Sequence, residues 1–117
     1  MFRFIPRDSA GENLLISDYS RVSGISIIQA CHQGKTAADT LRGALRFYTD
    51  LTTDRVNMCS VFYLEWKNSD IDTVSITHSY EQVGCGRSHV IKEFFCNGRK
   101  MLPDTAYNDP YILTLNK

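Results

Sequence analysis

Three histidines, His32, His78 and His89, are the residues best suited to acid–base chemistry in this chain. An imidazole titrates near neutral pH, so two of them can take and return a proton while a phosphodiester or an ester is hydrolysed. His89 with Lys92 and His32 could form such a set, and a small hydrolase or nuclease would use His89 with either His32 or His78. The sequence does not require a catalytic role for His78. This residue falls on the predicted core side of its strand, where a hydrogen-bonded structural histidine is more common.

The four cysteines could supply thiolates or metal ligands, but their spacing favours neither role. Cys31, Cys59, Cys85 and Cys96 lie 28, 26 and 11 residues apart, without a C-x-x-C pair. Zinc sites and thioredoxin-like redox sites normally contain such a pair. We therefore expect four free thiols. Cys85 lies between two glycines and is an accessible thiol if that turn is exposed.

Two glycine-containing segments match phosphate-binding loops only in part. Residues 84–86 precede a predicted strand, whereas a dinucleotide fingerprint precedes a helix. Residues 34–36 end like a Walker A loop, but the glycine required upstream is replaced by Gln29. The carboxylates have no metal-ligand spacing. We predict that the protein has no cofactor and no metal.

Composition limits the classes of partner. The chain has 117 residues, 13 basic and 13 acidic, and a pI near 6.8. A neutral chain lacks the basic bias of a typical nucleic-acid binder, so we do not expect nucleic acid as the partner. A local basic patch remains possible from Arg87, Lys92, Arg99 and Lys100. The N-terminal residues lack a signal-peptide core and no apolar run could span a bilayer, so we expect a single cytoplasmic domain over 1–117.

The longest alternation in the sequence runs from Arg55 to Lys67. One parity of this segment is apolar: Val56, Met58, Phe62, Leu64 and Trp66. Only a β-strand places residues i, i+2 and i+4 on one face, so this segment predicts a long strand with a core side and a wetter side. Ile71–Val83 alternates in the same way after a turn at 68–70. We predict that the two strands pair with Leu64 opposite Val74.

Thr36–Leu51 combines the signals of one main helix. Thr36 and Asp39 are spaced like a capping box. Apolar residues recur at helical spacing: Ala37, Leu41, Ala44, Leu45, Tyr48 and Leu51. We expect this stripe to pack against the sheet, with Gly43 allowing a close approach.

The second half of the chain predicts a meander. Gly84–Arg87 is a turn signal, and Asn97–Gly98 is the strongest hairpin signal in the sequence. Both parities of the intervening strand, 88–96, carry apolar side chains, so its register stays open. We also expect short strands at Phe2–Ile5, which Pro6 should stop, at Asn13–Ile16 and at Tyr111–Leu115. Residues 23–32 could form either a helix or a strand.

These elements predict an α+β fold in which one main helix packs on one face of an antiparallel sheet of five or six strands. The wetter face of the two alternating strands contains hydroxyls, a carboxylate and a tyrosine: Tyr63, Glu65, Thr73, Ser75, Thr77 and Ser79. Tyrosine and hydroxyl groups supply contact area and hydrogen bonds at protein interfaces.

The sequence therefore favours a non-catalytic protein-binding module, of the kind represented by immunity proteins and by inhibitors of a toxin or a defence protein. We predict its binding residues to be Tyr63 and Glu65 on the sheet face, with Arg87 and His89 at the sheet end. Besides the hydrolase, a second alternative is a small-ligand pocket between the helix and the sheet. That pocket would be lined by Tyr48, Phe62, Trp66 and Tyr80.

Overall fold

The computed structural model describes residues 2–18, 24–30, 35–37, 39–41, 43–47, 60–67 and 69–117. These ranges contain ten strands and one short helix. Their bounds are β1 Phe2–Arg7, α1 Leu14–Ser17, β2 Ser26–Gln29, β3 Lys35–Ala37, β4 Asp39–Leu41, β5 Ala44–Phe47, β6 Val61–Glu65, β7 Ile71–Val83, β8 Gly86–Cys96, β9 Arg99–Lys100 and β10 Ile112–Asn116.

The strands form two sheets. One has four strands in the order β10-β1-β5-β4, and the other has six in the order β3-β2-β6-β7-β8-β9. β1 and β10 pair in parallel, whereas the other described ladders are antiparallel. The fold is therefore mostly β.

The two sheets share one apolar core. Alternate residues of the four-stranded sheet, such as Phe4, Leu45 and Leu115, are buried in one cluster with alternate residues of the six-stranded sheet, such as Phe62 and Phe94. Burial of one face from each of two sheets is the packing of a β-sandwich. We call the opposite side of the six-stranded sheet its outer face.

The predicted α+β fold is wrong, because Thr36–Leu51 does not form a helix. Within that range the described residues form β3, β4 and β5, and Gly43 occupies a hairpin turn with a φ of 74°. Leu45 faces the core, while Ala44 is buried with Ile5 and Ile112 on the other side of the sheet. Burial on both faces of β5 makes successive residues apolar, and that pattern imitates a helical stripe.

Two crossing segments connect the sheets at their edges. β3 ends at Ala37 in the six-stranded sheet, and β4 begins at Asp39 in the four-stranded sheet. At the other edge, β9 pairs with β8 in the six-stranded sheet. Pro103 then forms an isolated β-bridge with Leu113 of β10 in the four-stranded sheet. Met101, between these two contacts, is buried in the core. The sandwich is thus partly closed on both sides.

The β6–β7 pair confirms the predicted faces but shifts the predicted register. Phe62, Leu64 and Trp66 are buried, whereas Tyr63 and Glu65 are half-buried. Leu64 lies opposite Asp72 rather than Val74, a shift of two residues that leaves each side chain on its predicted face. The turn begins one residue earlier than predicted, since the Trp66 amide bonds the carbonyl of Asp70 at 2.8 Å. The Arg55–Cys59 part of the predicted strand lies outside the described residues.

A β-bulge in β8 explains why that strand has no clean apolar parity. Thr77 pairs with Glu93, but the next residue, His78, pairs with Ile91, so Lys92 is the extra residue. The bulge exchanges the two faces of β8 at this point. Phe94 on one side of the bulge and Ile91 on the other therefore both pack against the core.

Some of the shorter predicted elements are confirmed and others are wrong. Both hairpin turns are confirmed, and Asn97 and Gly98 adopt φ values of 51° and 82°. Residues 23–32 contain the strand β2, and the last strand is shifted by one residue. The predicted strand Asn13–Ile16 is instead α1, because the Asn13 side chain accepts from the Leu15 amide and caps a helix. β1 continues through Pro6, which lies opposite Leu115.

Candidate functional site

The outer face of the six-stranded sheet contains apolar and aromatic side chains where polar ones are usual. Cross-strand pairing forms one row of Ile28, Tyr63 and Thr73, and a second row of Val61, Ser75 and Phe95. All six side chains are half-buried. A sheet face turned to water normally alternates to polar residues, so Ile28, Val61 and Phe95 are apolar surface that the core does not use.

Charged residues flank these rows on two sides of the outer face, because Glu65 belongs to the next row along β6 and Lys100 extends the second row beyond Phe95. Glu65 lies opposite Ile71 on one side, and the Ile71 side chain is 55% exposed. On the other side Lys100 lies opposite Phe95, and its Nζ is 3.1 Å from the Glu93 carboxylate. The outer face therefore has an apolar centre and a charged rim, which is the usual anatomy of a protein interface.

The four predicted binding residues do not form one site. Tyr63 lies opposite Thr73, whereas His89 lies opposite Tyr80, seven residues and roughly 24 Å farther along β7. An odd separation along a strand also changes the face. Arg87 lies on the same side as Tyr80, with its guanidinium carbon 5.1 Å from the centre of that ring. Tyr63 and Glu65 thus share the outer face, and Arg87 belongs to the opposite face near the β7–β8 turn.

The histidines have a defined arrangement only in their backbone register. His78 pairs with Ile91, and two residues on, Tyr80 pairs with His89. Without the extra residue Lys92, the pairing that joins Thr77 to Glu93 would continue and place His89 opposite Glu81. Glu81 is three residues from His78, an odd number, so the two positions lie on different faces of the sheet. The bulge therefore makes His78 and His89 diagonal neighbours. His32 lies outside the described residues, as does the side chain of His89.

The predicted basic patch is divided and partly neutralised. Lys92 contacts Glu81 at 2.6 Å, and Lys100 contacts Glu93. Arg87 stacks on Tyr80 near one end of β8, while Arg99 lies opposite Cys96 at the other end. Nine residues separate Arg87 from Cys96 along the strand, which is roughly 30 Å. Arg87 therefore does not act with Arg99 and Lys100 as one surface.

A nearly buried carboxylate, Asp72, is fully engaged within the fold. It accepts from Trp66 Nε1 at 2.7 Å, Asn97 Nδ2 at 2.9 Å and Lys117 Nζ at 2.9 Å. Burial opposes its ionisation, but these hydrogen bonds and the Lys117 charge outweigh burial and hold the pKa of Asp72 below its ordinary value. The Lys117 ammonium also lies 4.4 Å from the Trp66 ring centre. This cluster ties the end of β10 to the six-stranded sheet and leaves Asp72 no free role in chemistry.

A groove of about 360 Å³ lies beside the Asn97–Gly98 turn. It is lined by Cys96, Asn97, Arg99, Lys100, Met101, Thr114 and Asn116. The groove has no signal in the sequence, because it joins the β8–β9 hairpin to the distant strand β10. Lys100 belongs both to this groove and to the rim of the outer face, so the two surfaces are continuous.

The other predicted sites have clear outcomes. The predicted pocket between a helix and the sheet does not form, because the described part of Thr36–Leu51 is β-structure and Phe62 and Trp66 are 0% and 3% exposed in the core. Tyr48 lies outside the described residues. Cys85 and Cys96 are free thiols, one exposed and one buried, while Cys31 and Cys59 lie outside the described residues. Burial, together with the Asp72 charge, raises the pKa of the Cys96 thiol to about 11. The described ranges contain no cluster of three side chains suited to holding a metal.

Comparisons with protein-family models, with curated proteins and with solved structures found no match to this chain. In the part of the chain that the structure describes, no helix is long and apolar enough to cross a membrane.

Proposed function

We propose that this protein is a non-catalytic binding module that holds a folded partner protein against the outer face of its six-stranded sheet. The observation that supports the proposal is the pair of cross-strand rows that contain Tyr63 and Phe95. Aromatic side chains at the centre of an interface usually contribute most of its binding energy. An inhibitor or immunity protein acting in the cytoplasm is one such module.

The rim defines the chemistry of the partner. Glu65 on one side of the rows would meet a cationic side chain, and Lys100 on the other side would meet an acidic one. The centre would meet apolar surface, because the side chains of Ile28, Val61 and Phe95 form no hydrogen bonds. The hydroxyls of β7 are the hydrogen-bonding groups beside them. The partner is thus a protein with an apolar patch flanked by opposite charges, rather than a nucleic acid.

Directed cross-linking tests this proposal. A photo-reactive amino acid at Thr73, on the outer face, should cross-link a partner protein in extracts of the source cells. The same group at Gln82, on the opposite face near the β7–β8 turn, is the matched control. Cross-linking from Gln82 but not from Thr73 would overturn the proposed surface.

The captured partner then permits a quantitative test. Tyr63→Ala or Phe95→Ala should weaken binding of the purified partner by at least about tenfold. Tyr80→Ala, which removes an exposed tyrosine from the other face of the same sheet, should leave the affinity unchanged. Equal affinity for wild type, Tyr63→Ala and Phe95→Ala would remove the outer face from consideration, provided that all variants keep the wild-type melting temperature.

A small hydrolase or nuclease is the second candidate, and one observation favours it. The bulge at Lys92 places His89 diagonal to His78 on the β7–β8 pair, and diagonal cross-strand neighbours are close enough for long side chains to meet. Turnover of RNA or of a simple ester by pure wild type, lost in both His78→Gln and His89→Gln, would replace the binding module with this enzyme. Turnover retained in both variants would show a contaminant.

A further inference from the structure

The groove beside the Asn97–Gly98 turn has an unbalanced charge. Of its seven lining residues, two are cationic, Arg99 and Lys100, and none of these seven is acidic. Asn97, Thr114 and Asn116 add polar groups, and Met101 and Cys96 are its apolar parts. Burial holds the Cys96 thiol in its neutral form at pH 7, because its pKa is raised to about 11. The lining therefore carries only positive formal charge.

Three carboxylates bond residues that line the groove. Asp72 accepts from Lys117, Asn97 and Trp66. Asp104, which accepts from Thr114, also accepts two hydrogen bonds from Arg7. Glu93 bonds Lys100 across an exposed ion pair, and exposed ion pairs of this kind contribute little stability and exchange readily. Across the described residues, the Arg99 side chain has no carboxylate within ion-pair distance.

The walls of the groove are held in place before any ligand arrives. The Asn97 side chain accepts from the Thr73 amide at 2.9 Å and donates to Asp72 at 2.9 Å. The Thr114 hydroxyl donates to Asp104 at 2.8 Å. These bonds fix the Asn97 wall to β7 and the Thr114 wall, which belongs to β10, to the Asp104 loop, so a ligand would not have to order the groove.

We propose that this groove binds an oxyanion, a carboxylate or phosphate group, with Arg99 as its main contact and Lys100 and Asn116 beside it. A planar guanidinium donates two parallel hydrogen bonds to either group. A volume of about 360 Å³ accommodates a small anion or one acidic side chain with its neighbours. The anion thus has two sources, a free small molecule or an acidic side chain of another protein. The inference does not rest on the proposed function, because a free anion needs no protein partner.

Nuclear magnetic resonance titration of the whole protein tests the site with defined probes. The probes are inorganic phosphate, citrate and a short peptide of alternating glutamate and glycine, each added at constant ionic strength. A bound oxyanion should produce saturable shifts in the amide signals of Asn97, Arg99 and Asn116. Arg99→Gln should weaken the binding by about tenfold or more, since a hydrogen bond to a charged group is lost. Arg87→Gln, at the far end of β8, is the matched control and should bind like wild type.

The outcomes separate the two sources. Saturation by phosphate or citrate, weakened in Arg99→Gln, supports a free anion as the ligand. Saturation by the peptide alone, with the same loss, supports an acidic protein side chain. Absence of saturable shifts with all three probes, or equal binding by wild type and Arg99→Gln, would overturn the site. Failure of Tyr63→Ala to affect a protein partner would count against the proposed function and leave this inference standing.

Discussion

Arg7 and Asp104 are separated by 97 positions in the sequence but are joined by two hydrogen bonds. Arg7 Nε donates to Oδ2 at 2.7 Å, and Nη2 donates to Oδ1 at 2.9 Å. Asp104 is 1% exposed and also accepts from the Thr114 hydroxyl and the Ala106 amide. The carboxylate therefore ties β1, β10 and the intervening loop together on the outer side of the four-stranded sheet.

Removal of this carboxylate should strongly destabilise the fold. Asp104→Ala leaves the Arg7 guanidinium without its main partner and leaves the Thr114 hydroxyl unsatisfied. Because Arg7 is partly exposed, the loss should lower the free energy of unfolding by about 3 kcal/mol, the lower end of the range for a fully buried charge pair. Urea unfolding measures the change. Glu12→Ala is the control, because Glu12 is the exposed carboxylate that also interacts with Arg7, and its loss should cost under about 0.5 kcal/mol. Similar costs for the two variants would contradict the role given to Asp104.

Stability should also fall in acid because of the same carboxylate. The hydrogen bonds from Arg7 lower the pKa of Asp104 from 3.8 to about 2. Because the folded-state pKa lies below the unfolded value, the ionised carboxylate stabilises the fold by on the order of 2 kcal/mol. This contribution is complete above about pH 4 and is lost as the pH falls towards about 2. Urea unfolding of wild type and Asp104→Asn at several pH values measures the difference. That difference should shrink over this window, and a constant difference would disprove the linkage.

The buried apolar side chains of β6 should make a large contribution to the free energy of unfolding. Leu64 is 2% exposed between the two sheets, so Leu64→Ala should lower the free energy of unfolding by about 2–5 kcal/mol. Ile71→Ala is the matched control, because Ile71 is 55% exposed in the adjacent strand and should change stability by under about 0.5 kcal/mol. A small effect of Leu64→Ala would mean that this sheet face does not pack against β1 and β5.

The sequence predicts the β6–β7–β8 meander well, because local rules determine it. Period-two alternation gives the buried side of Phe62 and Val74, and the Asn97–Gly98 turn needs two positive φ angles that these residue types supply. The exact register is less accessible, since a shift of two residues preserves every face. Only the position of the turn, one residue earlier with the Trp66 amide bonded to Asp70, decides between the two registers.

The second sheet could not be predicted for a physical reason. β1, β5 and β10 are short, and their pairing partners are far apart in sequence, as in Phe4 opposite both Leu45 and Leu113. Such contacts leave no local pattern. In β5, Ala44 and Leu45 are buried on opposite faces, which gave the sequence its false helical stripe. Gly43 was the available clue, because a glycine within a helix is unfavourable and a glycine in a hairpin turn is not.

The residues of a candidate site could be predicted from the sequence only where they all lie on one strand. Tyr63 and Glu65 share a face by parity alone, and the outer face was found in this way. The oxyanion groove joins Arg99 to Asn116 through two sheets, so sequence spacing could not reveal it. The bulge at Lys92 likewise changes which residues accompany His89, and its sequence signal was only a strand with apolar residues on both parities.

The two described cysteines should differ sharply in reactivity. Cys85 is exposed in the β7–β8 turn, whereas Cys96 is 9% exposed and its pKa is raised to about 11. Thiolates, rather than thiols, react with iodoacetamide. At pH 8 the folded protein should be alkylated at Cys85 and spared at Cys96, as measured by peptide mass mapping. In denaturant we expect four reactive thiols without prior reduction. Rapid labelling of native Cys96 would show that this part of the core opens.

Deletion of Lys92 should be tolerated, although most deletions within a strand are not. Lys92 is the extra residue of the bulge, so its removal leaves Thr77 opposite Glu93 and His78 opposite Ile91 in an unbroken ladder, with Phe94 and Ile91 still on the core side. The main loss is the exposed ion pair with Glu81, and exposed ion pairs contribute little to stability. The matched control is deletion of Ser75 from β7, which would turn Val74 or Ile76 out of the core and should abolish cooperative unfolding. Urea titration of both variants measures the contrast, and a Lys92 deletion as damaging as the Ser75 deletion would show that β8 requires its bulge.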